Sequence, residues 1–357
     1  MSKPLVSALI DTYNQGRYLE QALVSVLEQG LSPEELEIVV VDDGSTDETP
    51  SIVQKFLPRV RYLRKKNGGQ ASAFNAAIPE THAPIISFLD ADDWWAPCKL
   101  HAVLEAFSKN PDIPAVGHAF YDTREDGTPT ELVAPDNVSR ISLSTPEETR
   151  VAASLKCCLA TSKLSLRRWV MDRMGPIPEQ LVSCADDPIM NAALALGGAI
   201  LIDRPLCYYR YHSGNMFGFD SRDPARNRQR YEVQAFLAKY LPELLGKLGV
   251  SSQSVQIILD RFAADIERFE ALQDGGRRQI FRLEMRSFRR ESRNPSAGYL
   301  LFKAAVGALT LLLPPARFYQ VRDWYAKKNI RRFREAIGDA EPTFPEVCRR
   351  VPLLKQD

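Results

Sequence analysis

The sequence predicts an α/β protein: a mostly parallel sheet with flanking helices, continued by a helical C-terminal region. Three observations predict it. Short apolar runs alternate with stretches of helical periodicity from Lys3 to about Leu89. The run Glu37-Ile38-Val39-Val40-Val41 is β-branched and uninterrupted, as strands covered on both faces are. Beyond about Asp220 the pattern turns helical and basic. The chain of 357 residues suits two units, residues 1–220 with the sheet and residues 221–357 with the helices.

Leu5-Val6-Ser7-Ala8-Leu9-Ile10 reads as the first strand, and Leu19, Leu23, Val26 and Leu27 then recur on one helix face. After the second strand at Glu37–Val41 come a helix near Thr49–Phe56 and a short strand at Val60–Leu63. A Gly68-Gly69 turn opens a helix over Gln70–Ala77, and Pro84–Leu89 is the next strand. Such a βαβαβαβ rhythm gives an open parallel sheet, whose ligands bind beyond the carboxyl ends of the strands. Residues 110–150, rich in Pro, Asp and Thr, read as loops and short strands. A helix is expected from about Ala185 to Leu196, stopped by Gly197-Gly198, and then a strand at Ala199–Ile202.

The composition, 45% hydrophobic and 25% charged, rules out global disorder. A net charge of +1 excludes a broadly basic nucleic-acid coat, so no nucleic-acid partner is expected. The charge is uneven: −9 over residues 1–274 and +11 over residues 275–335. Catalysis in the first part and contact with an anionic surface in the second would account for that split. The six cysteines form no C-x-x-C pair, and the early apolar run stops at Asp11. Both point to a reduced, cytoplasmic setting.

Chemistry concentrates at the strand ends. Asp42-Asp43-Gly44-Ser45-Thr46-Asp47 follows the second strand. Its hydroxyls and Asp47 can cap the next helix, but capping does not explain a doubled Asp beside the ligand crevice. Asp90-Ala91-Asp92-Asp93-Trp94-Trp95 places three carboxylates within four residues. These repel one another unless a cation or donors compensate, and a Mn2+ or Mg2+ ion clamping a diphosphate prefers such oxygen ligands.

With Thr12-Tyr13-Asn14, Asn67-Gly68-Gly69 and Asn75, these motifs make residues 3–110 resemble the family 2 inverting glycosyltransferases. The resemblance implies a GT-A type, Rossmann-like sheet and a nucleotide-sugar donor, commonly a UDP-sugar. It implies that Thr12, Tyr13, Asn14, Asp43, Ser45, Asn67 and Gly69 surround the nucleotide. It places Asp90 on ribose or sugar and Asp92 on the metal, with Asp93 and Trp95 bordering donor sugar and acceptor. Two positions depart from the pattern: Asp11 stands where Pro is usual, and Phe74 where Arg usually precedes Asn75.

Cys184-Ala185-Asp186-Asp187-Pro188 opens a helix, where carboxylates gain about 0.3–1 kcal/mol from the helix dipole. By spacing it resembles the family's Glu-Asp motif, which makes Asp187 the general base and sets Asp186 on the acceptor side. Tyr209-Arg210-Tyr211-His212 resembles a Tyr-Arg-x-His motif whose His approaches the metal-diphosphate, although a loop-stabilising His212 is the plainer alternative. Loops 110–150 and 213–230 are expected to choose the sugar and the carbohydrate or lipid-linked acceptor.

Gly298–Leu313 is mostly apolar, interrupted by Lys303, and is followed by Pro314-Pro315. As a helix it would reach roughly 24 Å, short of a hydrocarbon core of about 30 Å. With flanks that include Arg277, Arg278, Arg289, Arg290, Arg331 and Arg332, it suits an in-plane or re-entrant helix on the inner, anionic face of a membrane. A helix in the core of a C-terminal bundle is the other reading. Two rival functions remain. A sugar-nucleotide pyrophosphorylase would need a Gly-rich cationic loop that Leu9–Tyr13 lacks. A non-catalytic membrane scaffold would have no use for Asp92 and Asp187 together.

Overall fold

The computed structural model describes residues 3–212, 214–215, 223–273, 276–291, 297–315, 317–318, 321 and 348–352. In chain order the elements are β1 (Val6–Thr12), α1 (Gly16–Leu27), β2 (Leu36–Asp42), α2 (Thr49–Gln54), β3 (Arg61–Arg64) and α3 (Gln70–Ala77). Then come β4 (Ile85–Asp90), β5 (Trp94–Trp95), α4 (Lys99–Lys109), β6 (Ala115–Thr123), β7 (Pro129–Pro135), β8 (Arg140–Ile141) and α5 (Pro146–Leu155). β9 (Ser165–Arg167), α6 (Trp169–Met174), α7 (Asp186–Leu196), β10 (Ala199–Arg210), α8 (Pro224–Lys247), α9 (Ser252–Gln273), α10 (Arg277–Glu291), α11 (Ala297–Leu312) and β11 (Cys348–Pro352) follow.

The sheet runs β11-β7-β6-β9-β4-β1-β2-β3, with β10 beside β6 and pairing β5 and β8 as well. The strands β4, β1, β2 and β3 are parallel and in register, so that Asp11 lies opposite Asp90 and Thr12 opposite Asp42. The shared register brings every strand-end motif to one edge, because parallel strands end on the same side. Val6, Ala8, Leu9 and Ile10 of β1 and Val39, Val40 and Val41 of β2 are fully buried, as the β-branched run predicts. The tight entry to α1 needs a residue without Cβ: one added to Gly16 would lie 2.7 Å from Glu48 Cγ and 2.8 Å from the Thr49 nitrogen.

Two regions differ from the sequence reading. Residues 110–150 hold the long antiparallel pair β6–β7 and the helix α5 rather than loops with short strands. The turn-forming Asp and Pro residues sit at the ends of this hairpin, while Val116, Ala119 and Phe120 are buried between neighbouring strands. The strand β11, which no period-2 pattern announces, pairs antiparallel with the outer side of β7.

The chain divides into two compact units. The first comprises residues 1–215, 239–258 and 347–357, and contains the sheet; the second comprises 216–238 and 259–346. Within the second, Ala271, Ile280 and Phe318 form a buried cluster covered by Leu283, Val306 and Leu313. Arg331 and Arg332, Ser213 and residues 216–222 lie outside the described residues. Among the described residues no helix is long and apolar enough to cross a membrane.

Candidate active site

The carboxyl ends of β1, β2 and β4 supply two adjoining clusters. The first is a frame at the ends of β1 and β2. The Asp43 nitrogen donates to the Thr12 carbonyl. The Asp43 carboxylate accepts hydrogen bonds from Lys65 Nζ at 2.7 Å and from the Gly68 and Gly69 nitrogens at 3.0 and 2.7 Å. Gly69 has φ +86°, and a Cβ there would lie 2.5 Å from Val182 Cα, so the turn admits no side chain. The Asn14 nitrogen donates to Ser45 Oγ, and Asn14 Oδ1 accepts from the Thr46 nitrogen. Tyr13 is 47% exposed, Asn67 is exposed, and Thr12 is buried with its Oγ1 lacking a hydrogen-bond partner.

The second cluster gathers Asp11, Asp90, Asp92 and Asp93. One carboxylate oxygen from each of Asp90, Asp92 and Asp93 can come within 4.8 Å of the others, a spacing one cation can span. Burial, then the neighbouring Asp92 charge, pushes Asp11 and Asp93 each up to about 7. Asp90 is raised well above the carboxylate range by burial and by Asp11, Asp92, Asp93 and Asp186. Asp11 Oδ1 and Asp93 Oδ2 are buried without hydrogen-bond partners. Orphaned oxygens and raised protonation are the marks of a carboxylate set that a hard divalent cation would relieve.

Protein groups surround these carboxylates, and Lys163 offsets part of their charge. His212 Nε2 lies 3.0 Å from Asp92 Oδ2, with the Tyr18 ring 4.9 Å away. Gln70 Nε2 donates to Asp90 at 3.1 Å while its Oε1 accepts from the Ala185 nitrogen, linking the cluster to the start of α7. Lys163 is buried against the Phe120 and Tyr209 rings. Burial works against its charge, but Asp93, Cys207, Asp90 and Asp186 raise its pKa nonetheless.

Arg210 ties the Asp90–Asp93 loop to its surroundings. Its nitrogen donates to Asp93, Nε to the Asp92 carbonyl, Nη1 to the Glu125 carbonyl and Nη2 to Gln21. Its guanidinium also lies over the Trp94 and Tyr18 rings. Arg210→Met should therefore cost at least about 1.5–3 kcal/mol of stability. Nucleotide affinity should fall with it, as melting curves and calorimetry would read.

The two aspartates opening α7 part company. Asp186 accepts from the Thr161 nitrogen and is raised by burial and then by Asp187. Its charge reaches Asp90 and Lys163. Asp187, buried, pairs with Lys156 at 3.1 Å, and Asn191 Nδ2 donates to its backbone carbonyl. Trp95 is placed in the core where the sequence reading sets it beside the acceptor. It is 2% exposed, its indole N–H donates to the Ser162 carbonyl, and Lys99 Nζ sits 3.7 Å over its ring. Phe74, standing at the usual Arg position, is fully buried against Phe88. Asn75 exchanges two hydrogen bonds with the Ile177 backbone.

Sequence reasoning passed over Gln70, Lys156 and Lys163, whose roles depend on contacts remote in the chain. Asp11 could be placed at the strand-end crevice by the parallel-strand rule but not within the carboxylate cluster, and Arg210 was visible only as a member of the Tyr-Arg-x-His string.

Comparisons with known proteins agree with this geometry. The sequence profile described as glycosyl transferase family 2 matches residues 7–168. An uncharacterized glycosyltransferase of Nostoc sp. is 31% identical over 256 residues, covering 70% of this chain and 78% of its own. The chondroitin synthase of Pasteurella multocida is 36% identical over 128 residues, which are 35% of this chain and 13% of that one. Among solved structures, S. aureus TarS 1–349 in complex with UDP-GlcNAc superposes with a TM-score of 0.54 at 21% identity, covering 73% of this chain and 72% of that one. That likeness concerns the fold, a GT-A arrangement. With the motifs on one sheet edge and a relative matched over most of its length, the chain is a glycosyltransferase and belongs to glycosyl transferase family 2.

Proposed function

We propose that the protein transfers a sugar, with inversion, from a nucleoside-diphosphate sugar to an acceptor hydroxyl, in making a surface glycan or glycolipid. The proposed donor is a UDP-sugar; TarS structures with UDP and UDP-GlcNAc support this choice. The observation that carries the proposal is the meeting of the Thr12–Asp43–Gly69 frame and the Asp90–Asp92–Asp93 cluster on one sheet edge. Residues 1–220 are proposed as the donor-binding domain and 221–357 as a helical region that reaches an anionic membrane surface on its inner face.

In this reading Thr12, Tyr13, Asn14, Asp43, Ser45, Asn67 and Gly69 surround the base and ribose. Asp43, already holding Lys65 and two backbone N–H groups, shapes the turn as well as facing the nucleotide. Asp90 holds ribose or sugar, and Asp93 borders the donor sugar, with Trp95 behind it. Asp92, with His212 beside it, would hold a Mn2+ or Mg2+ ion, whose bound charge would offset that of the departing nucleoside diphosphate. Asp187 takes the proton from the acceptor hydroxyl, and Asp186 flanks the acceptor. Proton transfer of this kind contributes about 10²–10⁴-fold in rate. A second assignment exchanges the aspartates: Asp186 shares the field of Asp90, whereas Asp187 is paired with Lys156.

Hydrolysis screening across UDP-, GDP- and dTDP-sugars with Mg2+ and Mn2+ tests the proposal. Metal-dependent release of UDP is the expected result. Equal release with chelator present would remove the metal from the mechanism, and no release from any donor would favour the scaffold reading.

A further inference from the structure

We propose that the outer face of α11 lies in the headgroup layer of an anionic bilayer, with the arginines at the start of α10 on the lipid phosphates. This deepens the membrane reading above by naming the surface. The inner face of α11 is accounted for. Val306 and Leu313 pack on the Ala271–Ile280–Phe318 cluster, Gly307 sits against Phe281, and Thr310 is buried with its hydroxyl donating to the Gly307 carbonyl.

Among the described residues the outer face has no such cover. Leu301 is 73% exposed and Leu312 71%; Ala305 and Ala308 between them are exposed too. These four recur at intervals of four, three and four, so they form one stripe along the helix. Leu309 and Leu311 widen it, at 37% and 45% exposed. Among the described side chains none that is polar interrupts the stripe, whereas the water-facing stripe of an ordinary surface helix is polar. Charge stands at its border. Arg277, Arg278 and Arg282 of α10 and Arg317 beyond α11 are exposed. Arg277 Nη1 lies 3.5 Å from the Leu311 carbonyl, which sets a guanidinium beside the apolar stripe.

An apolar stripe edged by arginines matches a lipid surface, acyl chains below and phosphates at the rim. A second copy of this chain is the poorer occupant, because it would bring a second set of the same arginines to the same border. Sixteen residues of helix reach about 24 Å, so α11 lies in the plane of the interface rather than across the bilayer.

Flotation of the full chain with neutral and with mixed neutral–anionic phospholipid vesicles tests this. The full chain should float with the anionic vesicles and poorly with the neutral ones. Leu301→Ser with Leu312→Ser should lower partitioning by about tenfold or more. Arg277→Gln with Arg278→Gln should remove the preference for anionic lipid. Melting temperature, UDP affinity and light scattering are read on the same samples. If the full chain floats with no vesicle, the membrane reading itself fails. If it floats and the serine variant floats equally, membrane binding stands and the α11 face is the wrong surface. If the serine changes instead abolish a dimer, a second copy is the occupant and the proposal is overturned.

Discussion

Asp187→Asn should slow sugar transfer by about 10²–10⁴-fold, or roughly 2.7–5.5 kcal/mol of barrier, while nucleotide affinity persists. Asn matches the shape of Asp but cannot accept a proton. The structure adds a second consequence. Asp187 is the buried charge partner of Lys156, so its loss also destabilises the fold, and one broken buried pair costs about 3–5 kcal/mol. Lys156→Met in the same chain separates the effects. The double variant should recover much of the melting temperature, because no buried ammonium is left beside an amide, but none of the transfer rate. Asp186→Asn should slow transfer less. Rates, melting curves and nucleotide affinity for the three variants decide the assignment. A dead Asp186→Asn beside an active Asp187→Asn would hand the base to Asp186.

Asp92→Ala should abolish the strengthening of nucleoside-diphosphate binding by Mn2+ or Mg2+, an enhancement that calorimetry with and without metal measures directly. Equal affinities for the intact protein under both conditions would defeat the metal reading. Asp92 also raises Asp11 and Asp93, which gives the substitution a second signature. Both groups titrate near 7 in the folded chain and near 3.8 when unfolded. Between those values the folded state binds more protons, so the metal-free protein loses stability as pH rises from about 4 through about 7. Removing the Asp92 charge should flatten that decline. Saturating metal should flatten it as well, by holding the carboxylates ionised at lower cost. Melting temperatures across this pH range, with chelator and with Mn2+, test both statements; a metal-free protein as stable at pH 7.5 as at pH 5 would contradict them.

Much of this was legible in the chain. Strands buried on both faces declare themselves through runs such as Ile38–Val41, because no polar residue is tolerated there. Parallel order then puts their ends together, so Asp43 and Asp90–Asp93 could be assigned to one crevice from sequence alone. Where patterns are mixed, the reading faltered. The β6–β7 hairpin hides among prolines and aspartates that mark its ends, and β11 is too short to show alternation. The apolar stretch Gly298–Leu313 was visible as a helix too short to span a bilayer, but its two faces were not. Only packing of Val306 and Leu313 onto α10 separates the covered face from the one left bare.

The sequence by itself determined which chemistry is present and at which strand ends, because both follow from local composition and from the rule that parallel strands finish on one side. The tertiary structure alone decided where each of those side chains looks. Asp186 and Asp187 are neighbours in the chain, yet successive residues on a helix are turned by about 100°. One therefore shares the field of Asp90 while the other is held by Lys156, 31 residues earlier in the chain. Trp95 follows the carboxylates directly and still belongs to the core, since alternate residues of β5 face opposite ways and the Ser162 carbonyl waits on the buried side. Arg210 reaches Asp93, Asp92, Glu125 and Gln21 from the end of β10, contacts spanning up to 189 residues. Local pattern carries no information about partners so distant; only the assembled sheet supplies it.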